Sequence, residues 1–350
     1  MPTLSETVGN SGPVVSATGV RLHIPARVAK LDGVRLELDW SLDLDHEFVS
    51  DGAGGWQLDI PRPLVHRMEY KLVLRSGDNE SVDLDPTNPL RVPGPFGDKS
   101  EIRFPDYREP NWLTTPLDGT TVEVEDVPKS LDRPIPVQLF SPTVLGDQPA
   151  PLLIAHDGSD YNDRGGLLRW ACATDRPVRV ALLDPPHGYR NAWYAANPDY
   201  ADHVATVLLP ELRQLVPVSS VVGMGASLGA VSTMTIHRRH PEALDGLVLQ
   251  SGSFFHRQLD SQESNWPEFG QVTDAVAAMT AAMAVEVRQV PTLMTVGAVE
   301  ENRANNERMA GALAFQGYDV DARLVPDAHN MIGWRDAWYP GLDQLMGKMP

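Results

Sequence analysis

The stretch Val221-Val222-Gly223-Met224-Gly225-Ala226-Ser227-Leu228-Gly229-Ala230 constrains this chain more than any other. An apolar run enters a Gly-x-Ser-x-Gly turn, and a helix-forming segment with small residues at its start, Gly229, Ala230 and Ser232, leaves it. A serine at the tip of such a strand-to-helix turn has a strained backbone, and the flanking glycines let strand and helix pass closely without a Cβ clash. Ser227 is therefore the candidate nucleophile. The rest of the chain must supply a sheet to carry the turn, together with a base and an acid.

After Pro151 the pattern alternates apolar runs with helical stretches. Residues 152–155, 178–183, 221–222, 247–249 and 293–296 read as buried parallel strands, with a final strand at 321–325. Residues 166–174, 199–216, 230–240 and 302–316 read as helices. Alternation of this kind implies βαβ units in a doubly wound, mostly parallel sheet, which binds ligands at the carboxyl ends of its strands. Residues 120–140 alternate, with Val122 and Val124 in one register and Val137 and Leu139 in another, as two opening antiparallel strands would.

Upstream the grammar differs. Residues 35–40, 56–60 and 70–74 each approximate period two, separated by turn residues such as Ser76-Gly77-Asp78-Asn79. Short strands without a helical stripe point to an immunoglobulin-like β-sandwich. Trp40, Trp56 and Tyr70 read as packing residues rather than a sugar-stacking platform. The expected organisation is a flexible N-terminus over 1–14, an all-β domain over 15–104, a proline-rich linker over 105–119 and an α/β catalytic domain over 120–350.

A formal charge of −18 argues against a nucleic-acid partner and gives no attraction to an anionic membrane. Cys172 is the only cysteine, so intramolecular disulfides are excluded. With no basic-then-apolar leader and no long apolar run, a cytoplasmic location is expected. Gly223-Met224-Gly225 lacks the final glycine of a dinucleotide fingerprint. His237 and His240 stand with Arg238 and Arg239 before Pro241, where cations favour a helix C-terminus, so they read as capping residues rather than metal ligands.

His329, on the loop after the last strand, is the candidate base. The acid is sought between serine and histidine in chain order. Glu300 and Glu301 both follow the strand at 293–296, with Glu300 preferred; Asp327 lies too close to His329 on the same loop. The N–H of Leu228 and that of Ser159, after the strand at 152–155, are the expected oxyanion donors. Arg190, Ser251, Phe254 and Trp334 are candidate substrate contacts. The chemistry needs neither cofactor nor metal.

Two resemblances sharpen this reading. Trp56, residues 70–74 and Asp85-Pro86-Thr87-Asn88-Pro89 resemble the early-set β-sandwiches that precede the catalytic domains of enterochelin esterases. Residues 153–158, Gly225 to Ala230, Gln250-Ser251-Gly252-Ser253-Phe254, Gly297-Ala298-Val299-Glu300, His329-Asn330 and Trp334-Arg335 together resemble the esterase D family of α/β-hydrolases, in its enterochelin (ferric siderophore) esterase branch. The resemblance implies a Ser227–Glu300–His329 triad and a small-molecule ester substrate. Trp193, Asn330 and His156 depart from the family's pattern, and a polyanionic ferric catecholate would want a more basic pocket than so acidic a chain suggests. The expected activity is ester hydrolysis through an acyl-enzyme, with a siderophore-type ester as substrate. Acyl transfer on the same site, an acetyl or feruloyl esterase of a glycan, and an inactive ligand-binding homologue are the alternatives. The oligomeric state is left open.

Overall fold

The structure is a computed structural model describing residues 12–26, 31–40, 42–95, 97–129, 131–281 and 287–350. Residues 1–11 of the segment expected to be flexible lie outside the described residues, and Val14–Val15 belongs to a strand. The chain divides into two compact units. One comprises Met1–Arg108 together with Ala298–Glu300 and Pro326–His329; the other comprises Glu109–Gly297, Glu301–Val325 and Asn330–Pro350.

The first unit contains two antiparallel sheets. One runs β1 (Val14–Val15), β2 (Gly19–Ile24), β5 (Trp56–Pro61), β4 (Val49–Ser50). The other runs β3 (Gly33–Glu37), β6 (Arg67–Ser76), β9 (Lys99–Arg103), β8 (Arg91–Val92), with β7 (Asn79–Asp83) also on β6. Period-two alternation sends Leu22 and Ile24, Val34 and Leu36, Leu58 and Ile60, and Tyr70, Leu72 and Leu74 into one shared core. Tyr70 is wholly buried and donates its hydroxyl to Asp85 at 2.6 Å, and Trp40 is also buried, so both are packing residues. Ala328 lies in this same core and Val299 packs against it.

The second unit is built on an eight-stranded sheet in the order β10-β11-β13-β12-β14-β15-β16-β17. The strands are β10 (Gly119–Val124), β11 (Val137–Pro142), β12 (Ala150–His156), β13 (Arg179–Leu183), β14 (Val218–Ala226), β15 (Gly246–Gln250), β16 (Thr292–Gly297) and β17 (Val320–Val325). The β10–β11 and β11–β13 pairs are antiparallel and all later pairs are parallel. Leu152, Ile154, Val221, Leu247 and Leu249 enter one apolar cluster, while Leu153, Ala155, Val222, Met224 and Val248 enter another. Both faces of the sheet are therefore covered, which is why its strands read as continuous apolar runs.

The expected helix over 199–216 is present with a change of register. Pro198–His203 and Leu209–Leu215 are α-helical, and Val204–Leu208 between them is a π turn. Pro210 has no N–H for the usual bond, and a wider turn accommodates that loss. Further helices lie at Phe269–Ala281 and Trp338–Met346. Part of the stretch expected to be a linker is packed: Trp112 stacks on Trp338 with ring centroids 5.4 Å apart.

Candidate active site

Ser227 follows β14 directly and starts the helix Leu228–Arg239. Its backbone has φ 55° and ψ −121°, a region that a residue with a side chain seldom occupies. The turn is this tight because Gly225 and Gly229 touch: a Cβ on Gly225 would lie 2.3 Å from the Gly229 carbonyl. Asp157 after β12 (φ 58°) and Ser251 after β15 (φ 45°) are also left-handed. Three neighbouring strands thus end in strained residues, at a cost of roughly 1–3 kcal/mol each, and such strain clusters at functional sites.

The Ser227 hydroxyl does not cap the helix it begins. Its Oγ lies 2.9 Å from Ser253 Oγ, while the Ser253 N–H donates to the Ser227 carbonyl at 3.1 Å. The expected contacts omitted Ser253, whose only sequence signal was its place in Gln250-Ser251-Gly252-Ser253-Phe254. Leu228, as the first residue of the helix, presents one of the N–H groups that have no partner within a helix, where the dipole also favours negative charge.

The loop after β15 is fixed from several sides. Asn306 accepts from the Gly252 N–H and donates to its carbonyl, each at 2.9 Å, and Asn302 donates to the Ser251 carbonyl at 3.3 Å. Gln250 accepts from Tyr161 and Trp338 and donates to Thr295 and to the Trp334 carbonyl. The Ser227 N–H donates to the Gln250 carbonyl at 2.9 Å, so the residue whose side-chain amide is fully engaged also anchors the Ser227 backbone.

The remaining candidates in this unit fare differently. Ser251 and Trp334 are brought together: the indole N–H donates to Ser251 Oγ at 2.8 Å. Phe254 is 2% exposed and lies in the apolar core, which makes it a packing residue rather than a surface for substrate. The Ser159 N–H donates to both oxygens of Asp184, at 3.0 and 3.2 Å, and its hydroxyl donates to the same carboxylate at 2.5 Å. That half-buried carboxylate, which burial raises above its ordinary range, takes up the N–H expected for an oxyanion. Arg190 forms a bidentate pair with Asp157 at 2.8 and 2.7 Å. Burial opposes its charge, but the Asp157 carboxylate outweighs that and holds the guanidinium protonated, as a structural clamp on the β12 loop.

Three histidines of this unit are engaged elsewhere. His156 is buried against the Met224 carbonyl and Thr233, and burial lowers its pKa to about 4. His237 and His240 go to different partners, Tyr318 and Asp202. Among the described residues no group of three or more His, Cys, Asp or Glu side chains is arranged to hold a metal ion, and no helix is long and apolar enough to cross a membrane.

Glu300 and His329 meet within the first unit. Nδ1 of His329 lies 3.7 Å from Oε1 of Glu300. The Glu300 side chain is fully buried and the imidazole is 25% exposed, while Glu301 is exposed. A separation of 3.7 Å is an ion-pair distance rather than a hydrogen bond.

The Esterase family model matches residues 128–337, more than half of the chain. No curated protein matches. Among solved structures, the ferric enterobactin esterase of Salmonella typhimurium aligns with TM-score 0.77 at 16% identity, covering 96% of both chains. The Shigella flexneri enterobactin esterase, solved in the presence of enterobactin, aligns with TM-score 0.75 at 17% identity over the same shares. A ferulic acid esterase aligns with TM-score 0.54 at 15% identity, covering 66% of this chain and 99% of its own. With the family matched over this length, the chain belongs to the Esterase family and is a carboxylic ester hydrolase.

Proposed function

We propose that this protein hydrolyses a small-molecule ester through an acyl-enzyme on Ser227, with His329 as general base and Glu300 as its acid. The observation that carries this reading is the Ser227 turn, with its φ of 55° and the Gly225–Gly229 approach that enforces it. Strand order β10-β11-β13-β12-β14-β15-β16-β17 with an antiparallel second strand supports reading the second unit as a doubly wound α/β-hydrolase sheet. We read the first unit as an immunoglobulin-like sandwich.

In this mechanism Ser227 Oγ attacks the ester carbonyl as its proton passes to His329 Nε2. Glu300, facing Nδ1, fixes the tautomer and stabilises the imidazolium. The Leu228 N–H stabilises the oxyanion, and Ser159 joins it only if Asp184 releases its N–H. His329 then protonates the leaving alcohol, and water, activated by the same imidazole, hydrolyses the acyl-enzyme.

Full-length likeness to the ferric enterobactin esterase favours a siderophore-type ester. Ser227→Ala and His329→Ala should each abolish p-nitrophenyl acetate turnover in a folded protein, and fluorophosphonate should label wild type at Ser227. Wild-type turnover in either variant defeats the triad. A panel of a ferric tricatecholate trilactone, a feruloyl ester and simple acyl esters ranks the substrates; preference for the feruloyl ester defeats the siderophore assignment.

A further inference from the structure

We propose that Arg67, on the sheet of the first unit, is a positioning residue for the general base: through Asp327 it holds the Pro326–His329 loop so that His329 stays facing Glu300. The proposal rests on reading His329 as the base.

The Arg67 side chain is wholly buried and forks onto three carboxylates. Nη2 donates to Glu69 of its own strand at 2.7 Å, Nε to Glu101 of the neighbouring β9 at 2.7 Å, and Nη1 to Asp327 of the loop at 3.1 Å. Glu69 and Glu101 each have a second cation, Lys99 at 3.7 Å and Arg103 at 2.8 Å. Their charges are thus partly met from the sheet, which leaves the Arg67 charge to draw in the loop. A cation this deep is retained only while its carboxylates stay in place, since breaking a buried pair strands the remaining charge.

Two further attachments bear on the same four residues. The His66 N–H donates to the Pro326 carbonyl at 2.7 Å. Ala328, whose N–H donates to Asp327 Oδ1 at 2.7 Å, is inserted in the apolar core of the first unit. Val299, the residue before Glu300, packs against that core as well. The base is preceded by an apolar residue seated in this core and the acid by one packed against it, and Arg67 adds the directional element: its planar fork defines where the Asp327 carboxylate lies, two residues from the imidazole.

The test measures kcat and KM for p-nitrophenyl acetate, per mole of protein folded by circular dichroism, in Arg67→Met, Asp327→Asn, their double variant, Glu69→Gln and His329→Ala. If Arg67 acts through Asp327, kcat falls about 10²-fold in Arg67→Met and roughly tenfold in Asp327→Asn with KM nearly unchanged, as expected when a reacting group is displaced by a fraction of a bond length. The double variant is then no slower than Arg67→Met, because the two residues act as one unit. Glu69→Gln, which alters the same arginine on the sheet side, keeps its kcat. Wild-type kcat in both Arg67→Met and Asp327→Asn, with His329→Ala inactive, overturns the positioning role and leaves the triad standing. Multiplicative losses in the double variant overturn it too. Turnover retained in His329→Ala overturns the proposed function, and the role of Arg67 with it. Should Arg67→Met not fold, Asp327→Asn, which leaves Arg67 paired with Glu69 and Glu101, decides the question alone.

Discussion

Ser227 stands where β14 gives way to a helix and takes its geometry from Gly225 and Gly229, two positions away on either side. His329 stands on a loop whose ionic anchor, Arg67, pairs with a residue 260 positions along the chain. Ser227 is placed by backbone sterics, the loop that carries His329 by buried charge and a buried alanine. Steric placement is written in a handful of adjacent residues and leaves no room for a side chain at Gly225. Placement by charge is distributed over residues far apart in the chain, Arg67 and Asp327 above all.

Glu300→Ala should show the largest effect, about a 10⁴-fold loss of kcat on p-nitrophenyl acetate, in line with the loss of a triad acid elsewhere. Exposed Glu301→Ala should leave kcat unchanged; the opposite result would move the acid to Glu301 and loosen the contrast between local and distant placement. Acid should next weaken the second unit. His156 and His237 have folded pKa values lowered to about 4 by burial, so below the ordinary value of 6.5 the unfolded chain takes up protons that the folded one does not. The stability that these neutral histidines contribute is complete above pH 6.5 and is lost as pH falls from 6.5 towards 4, by about 3 kcal/mol for each. Melting temperature against pH should flatten over that window in His237→Gln.

Gly225→Ala tests steric placement. Its Cβ would meet the Gly229 backbone at 2.3 Å, forcing strand and helix apart, and a displacement near 1 Å should cost about 10²-fold in kcat. A crystal structure of the variant with the turn unmoved would show that the glycine is dispensable. Ser253→Ala should be the mildest: losing one hydrogen bond to Ser227 Oγ is worth about 1 kcal/mol, or roughly fivefold in kcat/KM.

The features legible in the sequence are those with short-range causes. The Gly-x-Ser-x-Gly turn, the continuous apolar strands and the alternating sandwich strands each follow from neighbours one to four residues apart. The pairing of Glu300 with His329 was accessible through chain order, since each follows a strand end. Arg67 gave no such signal: it is one of the two arginines on β6, and its partner Asp327 looked only like a neighbour of the histidine. The hold of Asp184, 25 residues away, on the Ser159 N–H was hidden for a related reason. Phe254 has the composition of a binding-loop aromatic, but burial is a property of the whole fold. Pro210 was a readable warning of the π turn in a stretch otherwise helical.

The Pro326–His329 loop leaves β17 of one unit and is packed as part of the other. This limits how the protein can be taken apart or can diverge. The N-terminal unit is not an interchangeable module: a chimera carrying a foreign sandwich would need an arginine at the position of Arg67 and a seat for Ala328. Over evolutionary time, changes in β6 and in the loop after β17 should accompany one another despite their distance along the chain. Recombination at residue 108 would then separate the Pro326–His329 loop from Arg67, which pairs with its Asp327.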